Sequence, residues 1–249
     1  MNSLSEIAEI SLSLGCGLLA GGGEVSRAED SARRVALALG AQECEAMAMS
    51  NFLLLTVIGC NGESVTVSRR ARHIHTDFTV VERLNALSRR ICEHTVDISA
   101  ARSALSLIRE QEKSALYGYL LSMMVSATFA FFFGGGWREA LVSALCANSI
   151  EYMKRRVKDA FGNAVVFTFV SAFLCGFAAA LMVNAGLAEN YDAIVMGDIM
   201  LLIPGVSLVC STRDLIHGDL LSGVLRLVET VLLAASLTAG FVLPSRLPL

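Results

Sequence analysis

ALYGYLLSMMVSATFAFFF, residues 115–133, runs for 19 residues without a charged side chain. At ~1.5 Å per residue, a helix of that length crosses a hydrocarbon core of about 30 Å. The stretch divides the chain in two. Residues 1–113 carry 12 Lys/Arg and 14 Asp/Glu, which is 26 of the 43 charges; all the remaining residues carry 8 and 9. Over the whole chain 54% of residues are hydrophobic, only 17% are charged, and the mean hydropathy is +0.59. These values lie on the membrane side of the globular averages. A water-soluble front half leads into an oily back half.

Four more apolar stretches follow the first. Residues 137–153 are short and end close to Glu151, whereas 161–187 are long and uncharged. Residues 193–210 hold a single Asp198 and a central Pro204-Gly205, and 220–243 are interrupted by Arg226 and Glu229. The expected architecture is a membrane α-helical bundle of about five transmembrane helices, residues 114–249, preceded by a small α+β cytoplasmic domain, residues 1–113. Lys154, Arg155, Arg156 and Lys158 follow the second stretch and Arg213 the fourth, while the intervening loops offer only Arg138. Positive charge marks the cytoplasmic side. The bundle should therefore sit in the cell inner membrane with the front domain inside and the tail, residues 244–249, in the periplasm. The N-terminus agrees: MNSLSEIAEISLSLG has acids and no basic n-region, unlike a secretory signal.

The front half has the periodicities of a sheet-plus-helix unit. Helical spacing covers 4–20 and 24–39, with Gly21-Gly22-Gly23 between them, and returns at 79–93 and 99–113. ECEAMAMS, NFLLLTVIG and ESVTVSRR read as strands, the last two joined by Asn61-Gly62, a favoured hairpin dipeptide.

Composition excludes several functions. A net charge of −3 and a pI near 5.8 leave no basic footprint for nucleic acid. Seven cysteines stand singly, without ligand spacing, as reduced and mostly buried thiols do. His73 and His75 lack a Cys or acid to complete a metal site, so no metal is expected. GGGEVSRAED lacks the Lys-Ser/Thr pair with which a P-loop reaches phosphate and magnesium. No nucleophile–base arrangement stands out, so neither an enzyme nor a cofactor is expected.

Ionisable residues inside spans carry the most information, because a lone charge there costs several kcal/mol unless paired or hydrated. Asp198, Arg226 and Glu229 are such residues. Arg226 and Glu229, spaced i, i+3, share a helix face and can neutralise each other. They read either as a structural pair or as part of a hydrated pathway. Pro204-Gly205 removes a backbone donor in mid-span, which gives either a plain kink or the broken helix through which transporters meet substrates and ions. Arg213, Asp214, His217 and Asp219 would form a polar vestibule on the cytoplasmic side.

Three stretches, GGGEVSRAEDSARRVALALG, FFFGGGW and GDIMLLIPGVSLVCSTRDLIHGDLLSGVLRLVETVLLAASLTAG, together resemble the threonine/serine exporter family in order and over nearly the whole chain. By its length the chain is similar to the larger, YjjP-type subunit of the family's split form. That resemblance implies a secondary exporter acting with a short, all-membrane second subunit of the YjjB type, and a homo-oligomer is also compatible. The split form is linked to succinate, the fused form to threonine and serine. Carried over by motif, the resemblance points to Pro204, Gly205, Arg213, Asp214, Gly218, Asp219, Arg226 and Glu229, with Asp198 added from its position in a span. Glu24 and Arg27 match the cytoplasmic motif. A dicarboxylate would call for the guanidinium groups of Arg213 and Arg226, whereas an amino acid would want an acid such as Asp198 or Glu229 for its ammonium. A different class stays open at this point: a membrane-anchored regulatory or scaffold protein whose front domain does the binding.

Overall fold

The computed structural model describes residues 3–71, 77–109 and 115–246. His73 and His75 lie outside the described residues, as does the expected domain boundary at 113/114. In chain order the elements are α1 (Leu4–Ala20), α2 (Val25–Ala38), β1 (Glu43–Met49), β2 (Phe52–Ile58), β3 (Ser64–Arg70), α3 (Phe78–Cys92), α4 (Ile98–Arg109), α5 (Ala115–Phe132), α6 (Trp137–Arg156), α7 (Lys158–Phe161), α8 (Ala164–Asn184), α9 (Tyr191–Ile199), α10 (Gly205–Ile216) and α11 (Leu220–Ser245). They form two compact units: Met1–Gln111 with Gly205–Val228, and Glu112–Pro204 with Glu229–Leu249.

In the first unit the three strands make an antiparallel meander in the order β1-β2-β3. Strand alternation decides which face is covered: Leu53, Leu55 and Val57 on β2 are buried, while their neighbours along the strand are only half-buried. α1 supplies most of what covers them, through Leu14, Leu18 and Leu19. It comes close to its neighbours because Gly15 has no side chain: a Cβ there would stand 2.5 Å from Leu53 and 3.1 Å from Ala32 of α2. The Asn61-Gly62 turn closes the β2–β3 hairpin, with Gly62 at φ +77°, where a side chain would be strained. Residues 205–228 belong to this unit as the helical hairpin of α10 and the start of α11. Gly218, at φ +93°, ends α10, and a Cβ on Gly223 would meet Leu215 at 2.7 Å.

The second unit is inverted in its chemistry. Among its buried residues are Ser122, Ser126, Ser143, Thr168, Ser171 and Asp198, whereas Leu116, Leu120, Met124, Phe132, Leu141 and Leu145 are exposed. A fold that turns serines inward and leucines outward is built for an apolar solvent. Small residues let the helices touch: a Cβ on Gly197 of α9 would lie 2.6 Å from the Ser126 carbonyl oxygen and from Ser143 Oγ. Likewise a Cβ on Gly240 of α11 would lie 2.6 Å from Ala172 of α8.

Among the described residues, three helices are long and apolar enough to cross a membrane: α5, α8 and α11. They coincide with the expected spans at 115–133, 161–187 and 220–243. The other two expected spans take different forms. α6 is long enough, at 20 residues, but it carries Arg138 and Glu139 at one end and Glu151, Lys154, Arg155 and Arg156 at the other. The stretch 193–210 is not one helix but two, the nine-residue α9 and the twelve-residue α10, broken at 200–204. Pro204 cannot donate to a continuing helix, and the chain leaves helical geometry just before it. Lys154 Nζ donates to the Leu201 carbonyl at 2.9 Å, placing a cation on an acceptor exposed by the break.

Candidate functional site

The residues singled out from sequence fall into two clusters, one in each unit. In the first unit, Glu24 is the residue before α2, and its carboxylate is bonded to Arg213 of α10. One residue on, Asp214 is buried and faces Arg226 of α11, Oδ2 to Nη1, at 3.3 Å; their side chains are 2% and 9% exposed. That oxygen makes no hydrogen bond, so the approach satisfies charge rather than hydrogen-bond geometry. Burial raises the Asp214 pKa above its ordinary value, against the pull of the Arg226 guanidinium and of the Val25 N–H at the start of α2.

Around these two pairs, Cys210 Sγ lies 3.7 Å from the Gly22 carbonyl, and His217 Nδ1 is 2.9 Å from the Arg213 carbonyl. Asp219 is half-buried, and its N–H donates to the Asp214 carbonyl at 3.0 Å. Asp219 also helps raise the pKa of Glu29 on α2, after the larger effect of burial and against a 2.6 Å hydrogen bond from the Ala48 N–H. The arrangement brings together two guanidinium groups, each already holding a carboxylate. It thereby joins the glycine-rich N-terminal motif to the charged motif some 190 residues later: |i−j| is 189 for Glu24 and Arg213.

Four sequence-selected residues stand apart from this cluster. Arg27 is exposed on the first turn of α2. Glu229 is exposed on α11, and the buried ion pair of Arg226 is with Asp214. The expected i, i+3 neutralisation of Arg226 by Glu229 gives way to a pair across two helices, because the turn at Gly218 folds α11 back along α10. Pro204 is the last residue of the break and Gly205 the first of α10.

In the second unit Asp198, the penultimate residue of α9, is completely buried at 0% exposure. Its Oδ1 accepts from Ser126 Oγ of α5 and from Ser143 Oγ of α6, the latter at 3.1 Å. Its Oδ2 lies 3.2 Å from Cys175 Sγ of α8, and Cys175 has a second acceptor, the Cys146 carbonyl, at 3.7 Å. One carboxyl group thus ties four helices together. Sequence reading found Asp198 but not its partners. The available signal was the i, i+4 row Gly118, Ser122, Ser126, Ala130 on α5, which places small and hydroxyl side chains on one face of an otherwise apolar helix.

Lower on that row, Ser122 Oγ lies 3.3 Å from Glu151, which pairs with Arg155 at 2.6 Å. Arg155 also stacks 5.7 Å from the Tyr119 ring centroid. Gly118 makes room for the pair, since a Cβ there would stand 2.1 Å from Arg155 Nη2. At the opposite end of α6, Glu139 accepts from the Gly136, Glu189 and Asn190 N–H groups at 2.8, 2.9 and 3.3 Å. That carboxylate closes loops and is fully occupied in doing so.

Apolar helices with inward serines, the buried acid Asp198 and a broken helix are the features of an integral membrane protein. The chain belongs to the threonine/serine exporter family: it matches ThrE, described as "Putative threonine/serine exporter", over residues 9–247. It is 23% identical over 249 residues to the "Probable succinate transporter subunit YjjP" of Escherichia coli, covering 98% of this chain and 96% of that protein. It is 26% identical over 247 residues to the "Probable threonine/serine exporter" of Mycobacterium tuberculosis, covering 96% of this chain but only 44% of the relative. The "Threonine/serine exporter" of Corynebacterium glutamicum is 24% identical over 201 residues, covering 77% of this chain and 41% of the relative. The chain therefore spans less than half of the threonine/serine exporters it matches and nearly all of the succinate transporter subunit. No solved structure matches it.

Proposed function

We propose that this chain is one subunit of an inner-membrane secondary exporter of small carboxylates, succinate or a similar dicarboxylate, working with a short second membrane subunit of the YjjB type. The supporting observation is the double ion pair Glu24–Arg213 and Asp214–Arg226. Guanidinium groups suit carboxylates because their paired N–H donors match the two oxygens. Here each already holds a carboxylate supplied by the protein, and a dicarboxylate offers the same group twice. In this reading the solute loads from the cytoplasm by displacing Glu24 from Arg213, the more exposed of the two pairs. Asp219, Pro204, Gly205 and Glu229 complete the pathway in the membrane half. Residues 1–113 form the cytoplasmic domain and 114–249 the membrane domain, with five crossings, the N-terminal side in the cytoplasm and the C-terminus in the periplasm. Relatives named as subunits, and matched along nearly their full length, favour a split machine.

Threonine or serine is the second reading, favoured by the names of the longer relatives. The discriminating experiment loads vesicles with labelled succinate, threonine or serine and follows efflux with this chain alone and with its short partner. Succinate efflux requiring both chains is the expected result. Efflux of the amino acids but not of succinate would replace the dicarboxylate reading, and equal flux through the single chain would remove the partner.

A further inference from the structure

The first cluster accounts for a solute; it leaves Asp198 without a task. Its carboxyl group touches no solvent, and none of the ion pairs formed among the described residues reaches it. A buried acid in a bilayer must be paired with a cation, hold a metal ion or hold a proton. The titratable and charged groups on the elements packed around it do not supply the cation. α6 brings Cys146 and, at its ends, Glu139, Glu151, Lys154 and Arg155. Glu139 is bound to backbone N–H groups, Lys154 donates to the Leu201 carbonyl, and Arg155 is paired with Glu151. α8 brings Cys175, α9 itself brings Tyr191 and Asp192, and α5 faces the acid with Ser126. Tyr191 is engaged elsewhere, donating to the Phe241 carbonyl at 2.9 Å.

A metal ion does not fit either. Hard cations gather six or more oxygens, with the ion standing between them. Here Ser126 Oγ is in direct hydrogen-bond contact with both Ser143 Oγ and Asp198 Oδ1, so the oxygens fill the space an ion would need. The other carboxyl oxygen faces a thiol, a poor ligand for such an ion.

We infer that Asp198, with Ser126, Ser143 and Cys175 around it, is a proton-binding site inside the membrane unit, and that its loading and unloading couples the exporter to a proton gradient. The coupling half of this statement rests on the exporter reading above; the proton site itself does not. The chemistry is a simple addition. A proton from water binds Asp198 Oδ2, converting the carboxylate to a neutral acid, and returns to water when the site opens to the other side. Cys175 accommodates both states. With the carboxylate ionised, its S–H donates to Oδ2; with the acid neutral, the S–H turns to the Cys146 carbonyl and the sulfur accepts from the new O–H. Asp198 also lies just before the break at 200–204, so a change in that backbone is the shortest route to opening the site.

The test is pH-difference infrared spectroscopy on the full-length protein reconstituted in lipid, together with flux measured on the same preparation beside its partner. A carboxylic C=O band that titrates in the wild type and is lost in Asp198→Asn is the expected result. Cys175→Ala, which removes one donor to the ionised form, should move the titration midpoint upward without removing the band. Flux driven by a pH gradient should be lost in Asp198→Asn. A wild-type spectrum with no band assignable to Asp198, or a sodium-induced band at constant pH that Asp198→Asn removes, would overturn the proton site. Gradient-driven accumulation that survives in Asp198→Asn would overturn the coupling. Absence of any solute flux in the wild type would sink the exporter reading and the coupling with it, while the spectroscopic result still decides the site.

Discussion

Replacing Arg226 by Met keeps most of the side chain's length and removes its charge, leaving Asp214 buried with no guanidinium beside it. The pair is almost fully enclosed, at 9% and 2% exposure, and the carboxylate oxygen facing Arg226 has no hydrogen bond to fall back on. Breaking such a pair on one side costs about 3–5 kcal/mol, because the remaining charge is left in a poor solvent. That is roughly a hundred- to a few-thousand-fold in an equilibrium constant. Replacing both partners with apolar residues costs far less and can be neutral. The expected order of thermal stability in detergent is therefore wild type close to Arg226→Met/Asp214→Leu, with Arg226→Met alone well below both. The deficit of the single variant should also depend on pH. Without the guanidinium, the folded state holds a proton on Asp214 more tightly than the unfolded chain does. Stability is then lost as pH rises out of the ordinary carboxylate range, and in acid the single and double variants should converge. A single variant as stable as wild type, or a double variant no better than the single, would refute the buried-pair argument.

Gly197→Ala should destabilise the membrane unit by about 1–3 kcal/mol, the usual cost of overpacking. Its new Cβ would lie 2.6 Å from both the Ser126 carbonyl and Ser143 Oγ; an unchanged melting temperature in lipid would show that α5, α6 and α9 are looser than described. Glu29, whose pKa is raised chiefly by burial, binds its proton more tightly folded than unfolded. Its contribution to stability accordingly falls as pH rises from the ordinary carboxylate range through its higher folded value. Glu29→Gln should flatten that part of the pH–stability curve, and a curve superimposable on wild type would remove Glu29 from the account. Finally, the chain should co-purify with a short all-membrane subunit of its own family when the two are expressed together, and a chain that purifies alone from such cells would count against the split machine.

Much of the first unit's fold was legible because its signals are local. β-Alternation in 52–58, the Asn61-Gly62 turn and the amphipathic helices each answer to neighbours within a few residues. Charge content likewise exposed the membrane half, and Pro204-Gly205 marked the place of the break. What stayed hidden depends on contacts far apart in sequence. A single helix face suggested Glu229 as the partner of Arg226, whereas the chain reverses at Gly218 and brings Asp214 to it. Nothing near Glu24 indicates that Arg213 will meet it. The serines and the thiol around Asp198 come from three other helices, and in a membrane protein inward serines do not stand out from serines that merely bond to their own helix. Length and hydropathy at 193–210 read as one stretch, and Pro204-Gly205 left open whether it is a kinked helix or the two short helices, α9 and α10, that form.

The central claim is that an anionic solute meets the Glu24–Arg213 pair as it enters the exporter, and Arg213→Gln tests it most directly. The Arg213 side chain is 54% exposed, so the substitution should leave thermal stability nearly unchanged, as exposed pairs contribute only about 0–1 kcal/mol. A hydrogen bond to a charged group is worth about 1.5–3 kcal/mol, so succinate efflux at limiting concentration should fall roughly ten- to a hundredfold in vesicles carrying both subunits. Arg213→Lys, which keeps the charge but not the paired donors, should fall between the two. Unchanged succinate efflux in Arg213→Gln, from a protein as stable as wild type, would contradict the account.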